Sequence, residues 1–152
     1  MSDTSLRMAG ILMIVIPTIE FGGYSFLRYL THHQEGYMDN PVCRALFTAG
    51  HAHAGVLVIL ALIALLLIDQ AHLGSGARAF VRNAVALAPI LVSAGFFLSI
   101  AAPTATRPNR LIGLVYAGAL SLAAGVVVLG VGLLRVGRRV EGLDRHGAKF
   151  RP

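Results

Sequence analysis

Residues 45–68 read ALFTAGHAHAGVLVILALIALLLI, with no Asp, Glu, Lys or Arg anywhere in the run. As a helix this stretch rises about 36 Å, more than the ~30 Å thickness of bilayer hydrocarbon. Three further apolar stretches of comparable length, near 8–30, 81–102 and 111–134, fill most of the remaining chain. Over all 152 residues, 56% are hydrophobic and only 13% charged, against about a quarter charged in an ordinary soluble domain. Mean hydropathy is +0.72. The composition predicts an all-α polytopic membrane protein: a single four-helix transmembrane bundle over 1–152 that ends in a basic tail, 135–152.

Net charge is +6. In a soluble protein that would point toward nucleic acid, but basic residues gather on the cytoplasmic side of membrane proteins, so no nucleic-acid partner is expected. With four spans both termini share one side. That side holds Arg7, Arg78, Arg82 and six Lys or Arg between 135 and 151, nine in all, while the other holds Arg28, Arg44, Arg107 and Arg110. The imbalance predicts cytoplasmic termini in the cell membrane, with the loop containing His32, His33, Glu35, Asp39 and Cys43 facing outward. The first apolar run is too long for a signal-peptide core and lacks a small-residue cleavage site, so it reads as a retained span. Cys43 is the lone cysteine, which excludes an intramolecular disulfide and a multi-cysteine metal site. P-loop, GxSxG, HExxH, CxxCH and DxDxDG signatures are all missing, so the chemistries they mark are unsupported.

Two features inside the spans carry chemistry. Glu20 lies ten residues from the outer end of the first span, about 15 Å deep. A carboxyl at that depth is costly and is expected to face the bundle interior with a partner. Tyr24 and Arg28 follow at successive turns, making a polar stripe toward the outer surface. His51 and His53 sit at a similar level in the second span. Two positions apart on a helix are ~200° apart, so the imidazoles point to different neighbours, one of them the first span. Glycine and alanine around them leave room for a helix backbone, a porphyrin or a quinone ring. His32 and His33 are candidate ligands from the outer loop. In the fourth span Gly113, Ala117, Ser121 and Gly125 recur every fourth residue, a small-residue stripe suited to close helix packing within the bundle or across a homo-oligomer.

His51, His53, Gly55 and the run Val56-Leu57-Val58-Ile59-Leu60 resemble the small multi-span proteins of the haem–copper oxidase-like type, in which His-x-His opens a helix ahead of glycine and an aliphatic run. Residues 20–68 also look like a group of uncharacterised four-span membrane proteins with an acid and arginine in the first span and HxH in the second. The resemblance covers less than half the chain. It implies a haem, copper or quinol-linked role for His51 or His53. Oxidase catalytic subunits carry histidines on several helices, and this chain has none in its third or fourth span, so such a site needs a partner subunit. Three readings stay open at this level. They are a redox-linked membrane protein binding haem or copper, a non-catalytic accessory or assembly subunit of a larger membrane complex, and a proton- or cation-conducting oligomer using Glu20, Tyr24, Arg28 and His51.

Overall fold

The computed structural model describes residues 1–31 and 39–148, and among them the fold is four long helices in up-and-down order. They are α1 (Asp3–Thr31), α2 (Pro41–Leu67), α3 (Ser75–Leu98) and α4 (Gly113–Ala148), with a single 3₁₀ turn, Arg110–Ile112, leading into α4. All four are long and apolar enough to cross a membrane. That is the build of an integral membrane protein with a four-helix bundle.

The helix ends follow from local chemistry. Asn40 caps α2: its Oδ1 accepts from Val42 N at 3.0 Å and Cys43 N at 3.4 Å, and Pro41 occupies the first turn, where the missing N–H costs nothing. α2 therefore starts at Pro41, four residues before the apolar run. The same Asn40 donates through Nδ2 to Pro103 O and Ala105 O at 3.0 and 2.8 Å, tying down the α3–α4 connection. Asn109 does likewise for the 3₁₀ turn, accepting from Leu111 N and donating to Leu98 O. α3 occupies 75–98, not 81–102, because Arg78 and Arg82 are good helix formers, while at the other end the Leu98 and Ser99 carbonyls accept from Asn109 instead of from a further turn. α4 runs on to Ala148, so most of the basic 135–152 segment is helical. No proline interrupts it, and Arg, Leu and Val sustain the turn.

Each helix packs on its neighbour in sequence, and α1 touches α3 only narrowly. The core holds Leu12, Val58, Ala61, Leu65, Ile68, Val81, Val85 and Leu129. Those positions lie toward the end of the bundle that carries Asp3 and the α2–α3 connection, here the terminal end. The opposite end, with the α1–α2 and α3–α4 connections, is the loop end.

The tightest seam joins α3 and α4. A Cβ on Gly95 would sit 2.7 Å from Val115 N, on Gly118 2.8 Å from Val92 Cγ2, and on Gly125 3.1 Å from Ala84 Cβ. Gly132 meets Leu73 in the α2–α3 connection at 2.7 Å. The seam on α4 thus repeats every seventh residue, Gly118, Gly125, Gly132. The four-residue stripe divides against this seam: Ser121 and Gly125 reach α3, Ser121 Oγ lying 3.4 Å from Ala84 O, while Gly113 and Ala117 are exposed. A four-residue step advances 40° around a helix of 3.6 residues per turn, so the stripe winds off the seam within three steps, while a seven-residue step slips only 20°.

Candidate functional site

α1, α2 and α3 leave a cavity of about 320 Å³ between them, on the loop-end side of the core. Its wall is apolar, from Leu12, Val15 and Ile19 on α1, Ala54 and Val58 on α2, and Pro89, Ile90 and Phe97 on α3. Three polar side chains interrupt it: Thr18, His51 and Ser93. The Thr18 hydroxyl is already committed to Val15 O at 2.6 Å. Ser93 Oγ is buried with no hydrogen-bond partner among the described residues. An unpaired buried hydroxyl is destabilising, and a cavity with few polar groups on an apolar wall is the usual form of a small-molecule site.

His51 reaches the cavity because glycines clear its path. A Cβ on Gly23 would lie 2.9 Å from His51 Cε1 and 3.0 Å from Nε2, and one on Gly22 would lie 3.9 Å from Nδ1. The imidazole edge therefore lies against the bare backbone of α1. Gly50, one residue before it, is closed over by Phe96 and Phe97, at 3.1 and 3.0 Å from its ideal Cβ. Phe97 in turn meets Phe47 edge-on, with ring centroids 5.3 Å apart. His51 is half-buried.

His53 points elsewhere. It is exposed, with its ring 5.2 Å from that of Phe96. Its Nδ1 lies 2.7 Å from Ala49 O. A carbonyl only accepts, so Nδ1 carries a proton, and in the neutral ring Nε2 holds the lone pair. The two imidazoles thus occupy different faces of α2. Nε2 of His51 faces the Gly23 backbone, so an iron or copper ion on that nitrogen would collide with α1. No group of three or more His, Cys, Asp or Glu side chains suited to a metal ion forms among the described residues.

Glu20 does not enter the bundle. It is exposed, as are Tyr24 and Arg28, and it has no hydrogen bond or ion pair among the described residues. The expectation of an inward carboxyl is corrected by the packing of α1. Its inward row is Ser5, Leu12 and Ile19, with Met8, Ala9 and Ile16 beside them against the core. Glu20 is 100° around the helix from Ile19. His32 and His33, with Glu35 of the same loop, lie outside the described residues. Cys43 is fully buried, its thiol 3.7 Å from Ala102 O, and serves packing at the loop end.

One polar cluster escaped the sequence reading. At the terminal end Ser2 N donates to Asp69 Oδ2 at 2.5 Å, Arg82 approaches the same carboxyl at 4.0 Å, and the Ser2 and Ser5 hydroxyls are 2.9 Å apart. The Ser2 N–H holds the Asp69 carboxyl below its ordinary value, with help from the Ser5 and Ser2 hydroxyls, against burial, which pushes it up. The signal available was a Ser at 2 and 5 opposite an acid just past the second span, but only antiparallel α1 and α2 bring them together.

No family model matches this chain, and neither does any curated protein or solved structure.

Proposed function

We propose that the protein binds, within the membrane, a lipophilic molecule bearing a carbonyl or hydroxyl group, of the quinone class, and that its role is redox-linked. The observation that carries this is the cavity beside His51: apolar over most of its wall, about 320 Å³ in volume, and furnished with an imidazole, with Ser93 in its wall and the Ser93 hydroxyl buried without a partner among the described residues. A flat ring with oxygen substituents suits both features. Its body replaces apolar surface with apolar surface, and one oxygen takes a hydrogen bond from Ser93 or His51. On the nine-to-four Lys/Arg imbalance, both termini are cytoplasmic and the cavity lies in the outer half of the cell membrane.

The test is titration of the purified protein in lipid nanodiscs with a short-chain benzoquinone, alongside solvent extraction and mass spectrometry of what co-purifies. Wild type binds saturably, while His51→Leu and the cavity-filling Ala54→Phe raise Kd by at least about tenfold, equivalent to ~1.4 kcal/mol, without loss of helix. Unsaturable partitioning, equal in all three proteins, overturns the reading and leaves an accessory or assembly subunit.

A second reading has its own observation. Nδ1 of His53 bonded to a carbonyl, with the lone pair of the neutral ring on Nε2, is how proteins commonly orient a ligating histidine. Haem or copper on His53, completed by a partner subunit, would show as a Soret band or stoichiometric metal that His53→Ala removes and His51→Ala retains. Proton or cation conduction would run between copies of the chain, because Glu20, Tyr24 and Arg28 lie on the outside of the helix bundle.

A further inference from the structure

α1 carries a continuous row of exposed residues that its own chain leaves uncovered. Met13, Pro17, Glu20, Tyr24, Leu27 and Thr31 alternate by four and three positions and all are exposed. Met13 is 56% exposed, Tyr24 61% and Leu27 58%. Steps of four and three keep a row on one face of a helix, which is the seam spacing of two helices packed side by side. α1 is also the least enclosed helix: 6% of its most apolar 18-residue window is buried inside the structure, against 44% for α3.

What separates this row from ordinary lipid-facing surface is Glu20. It lies near the middle of the span Asp3–Tyr29, without a partner among the described residues. A bare carboxyl facing hydrocarbon is strongly unfavourable, and acids inside spans pair with donors. Lipid headgroups lie too far along the membrane normal to supply one. The row itself holds a donor, because Tyr24 follows one turn later, and a carboxyl that keeps its proton is a donor as well. Side chains on a helix lean toward its N-terminus, so the Tyr24 hydroxyl reaches back toward the level of Glu20, whereas Arg28 stands eight residues, about 12 Å, along the axis.

We infer that this row is the interface with a second copy of the chain, α1 against α1 in parallel. Copies of one chain insert with one orientation, so the helices meet in register about an axis along the membrane normal. Each Glu20 then faces the Glu20 of the other copy at the same depth, where two carboxyls that share a proton hydrogen-bond across the seam, with the other copy's Tyr24 hydroxyl one turn away. A foreign partner would have to bring its own mid-membrane donor to that depth; a second copy already has it. A lone polar group in an otherwise apolar seam fixes register and the number of strands. The row lies on the flank of α1 away from Thr18 and Gly22, which line the cavity, so the inference stands independently of the quinone reading.

The experiment measures oligomeric state by single-molecule photobleaching of labelled protein in liposomes over a range of protein-to-lipid ratios. It is run beside disulfide cross-linking of single-cysteine variants in a Cys43→Ala background. Wild type is expected to be dimeric. Glu20→Leu raises the dimer dissociation constant at least about tenfold and Tyr24→Phe about threefold, the range of polar contacts between spans. Glu20→Gln keeps the dimer, since an amide bonds the same donors. Met13→Cys and Leu27→Cys cross-link to a species of twice the chain mass, and Val127→Cys, on the exposed side of α4, does not. A monomer at every dilution overturns the inference. So does cross-linking through Val127→Cys alone, or a Met13→Cys adduct to a different protein. Should Glu20→Leu fail to fold, Glu20→Gln and the cysteine pair still decide.

Discussion

Along the α3–α4 seam, Gly95, Gly118 and Gly125 stand so close to the facing helix that an added methyl meets atoms within about 3 Å. On α1 only Gly23 is approached so closely, and by a side chain, His51, instead of backbone. Membrane helices associate through close packing and polar contacts, because lipid is as apolar as the residues it would displace. α3 and α4 have used that route fully and form the rigid part. α1 has not: it meets α2, leaves a cavity beside α3, and keeps a polar row uncovered. The part of the molecule free to bind is the part that is loosely packed.

The strongest way to break this contrast is to overfill the seam. Gly118→Leu would drive its Cβ into Val92 Cγ2 at 2.8 Å and Val92 N at 3.1 Å. Backbone cannot yield as a side chain does, so a loss of about 3 kcal/mol or more is expected. Gly130→Leu, where nothing lies within 4 Å, is expected to be neutral or stabilising, since glycine is a poor helix former. Unfolding in a mild detergent, followed by loss of helix, measures both. Equal stability of the two variants would show that the seam is not the rigid element.

A smaller effect separates two adjacent glycines on α1. Gly23→Ala places a methyl 2.9 Å from His51 Cε1, whereas at Gly22 the nearest atom is His51 Nδ1 at 3.9 Å, an ordinary contact. The imidazole can swing away, so Gly23→Ala costs about 1 kcal/mol in stability but turns His51 out of place in the cavity. Gly22→Ala leaves both unchanged. The nanodisc titration with a short-chain benzoquinone reads the difference: Gly23→Ala weakens binding as His51→Leu does, and Gly22→Ala does not.

Ser93→Ala sharpens the claim that the cavity is adapted for a ligand at the expense of stability. A buried hydroxyl without a partner is an uncompensated loss, so its removal is expected to stabilise the free protein by about 1 kcal/mol while weakening the quinone. Stability and affinity moving in opposite directions is the signature. If both fall, Ser93 bonds a neighbour and has no part in binding.

Much of the fold was legible because membrane insertion depends on run length and composition, both visible in residues 45–68 alone. The site was legible in part. The ~200° between His51 and His53 is fixed by helix geometry, and the structure has them on different faces of α2. Which histidine meets α1 was not legible, because that depends on where α1 crosses α2, and Gly22–Gly23 marks the crossing only once the two helices are aligned. Glu20 was misplaced by reasoning from its charge. The charge says that it needs a partner, but not that its own chain supplies one, and the apolar row Leu12–Ile19 took the inward face. The small-residue stripe on α4 meets α3 only through Ser121 and Gly125, because seven tracks a helix face better than four and the seam follows Gly118, Gly125 and Gly132. The Ser2–Asp69 contact links residues 67 apart in sequence, which no local pattern reports.

That contact yields the smallest of the expected effects. Because Asp69 is held below its ordinary value of 3.8, its ionised form is favoured by folding. The stabilisation is fully present above the unfolded value and is lost as pH falls through the lower folded one. Asp69→Asn should therefore be less stable than wild type by about 1 kcal/mol at pH 6 to 8, with the gap closing as pH falls below the ordinary value of 3.8 and wild type loses the same charge. The N-terminal turn of α1 should loosen first, since Ser2 and Ser5 are joined to the rest of the terminal end through this carboxyl and Arg82. Hydrogen exchange at residues 2–7 reads that loosening directly. If exchange there is unchanged in Asp69→Asn, then α1 is held at its terminal end by the packing of Met8, Ala9 and Leu12, and the contrast between a rigid α3–α4 pair and a loosely tethered α1 becomes sharper.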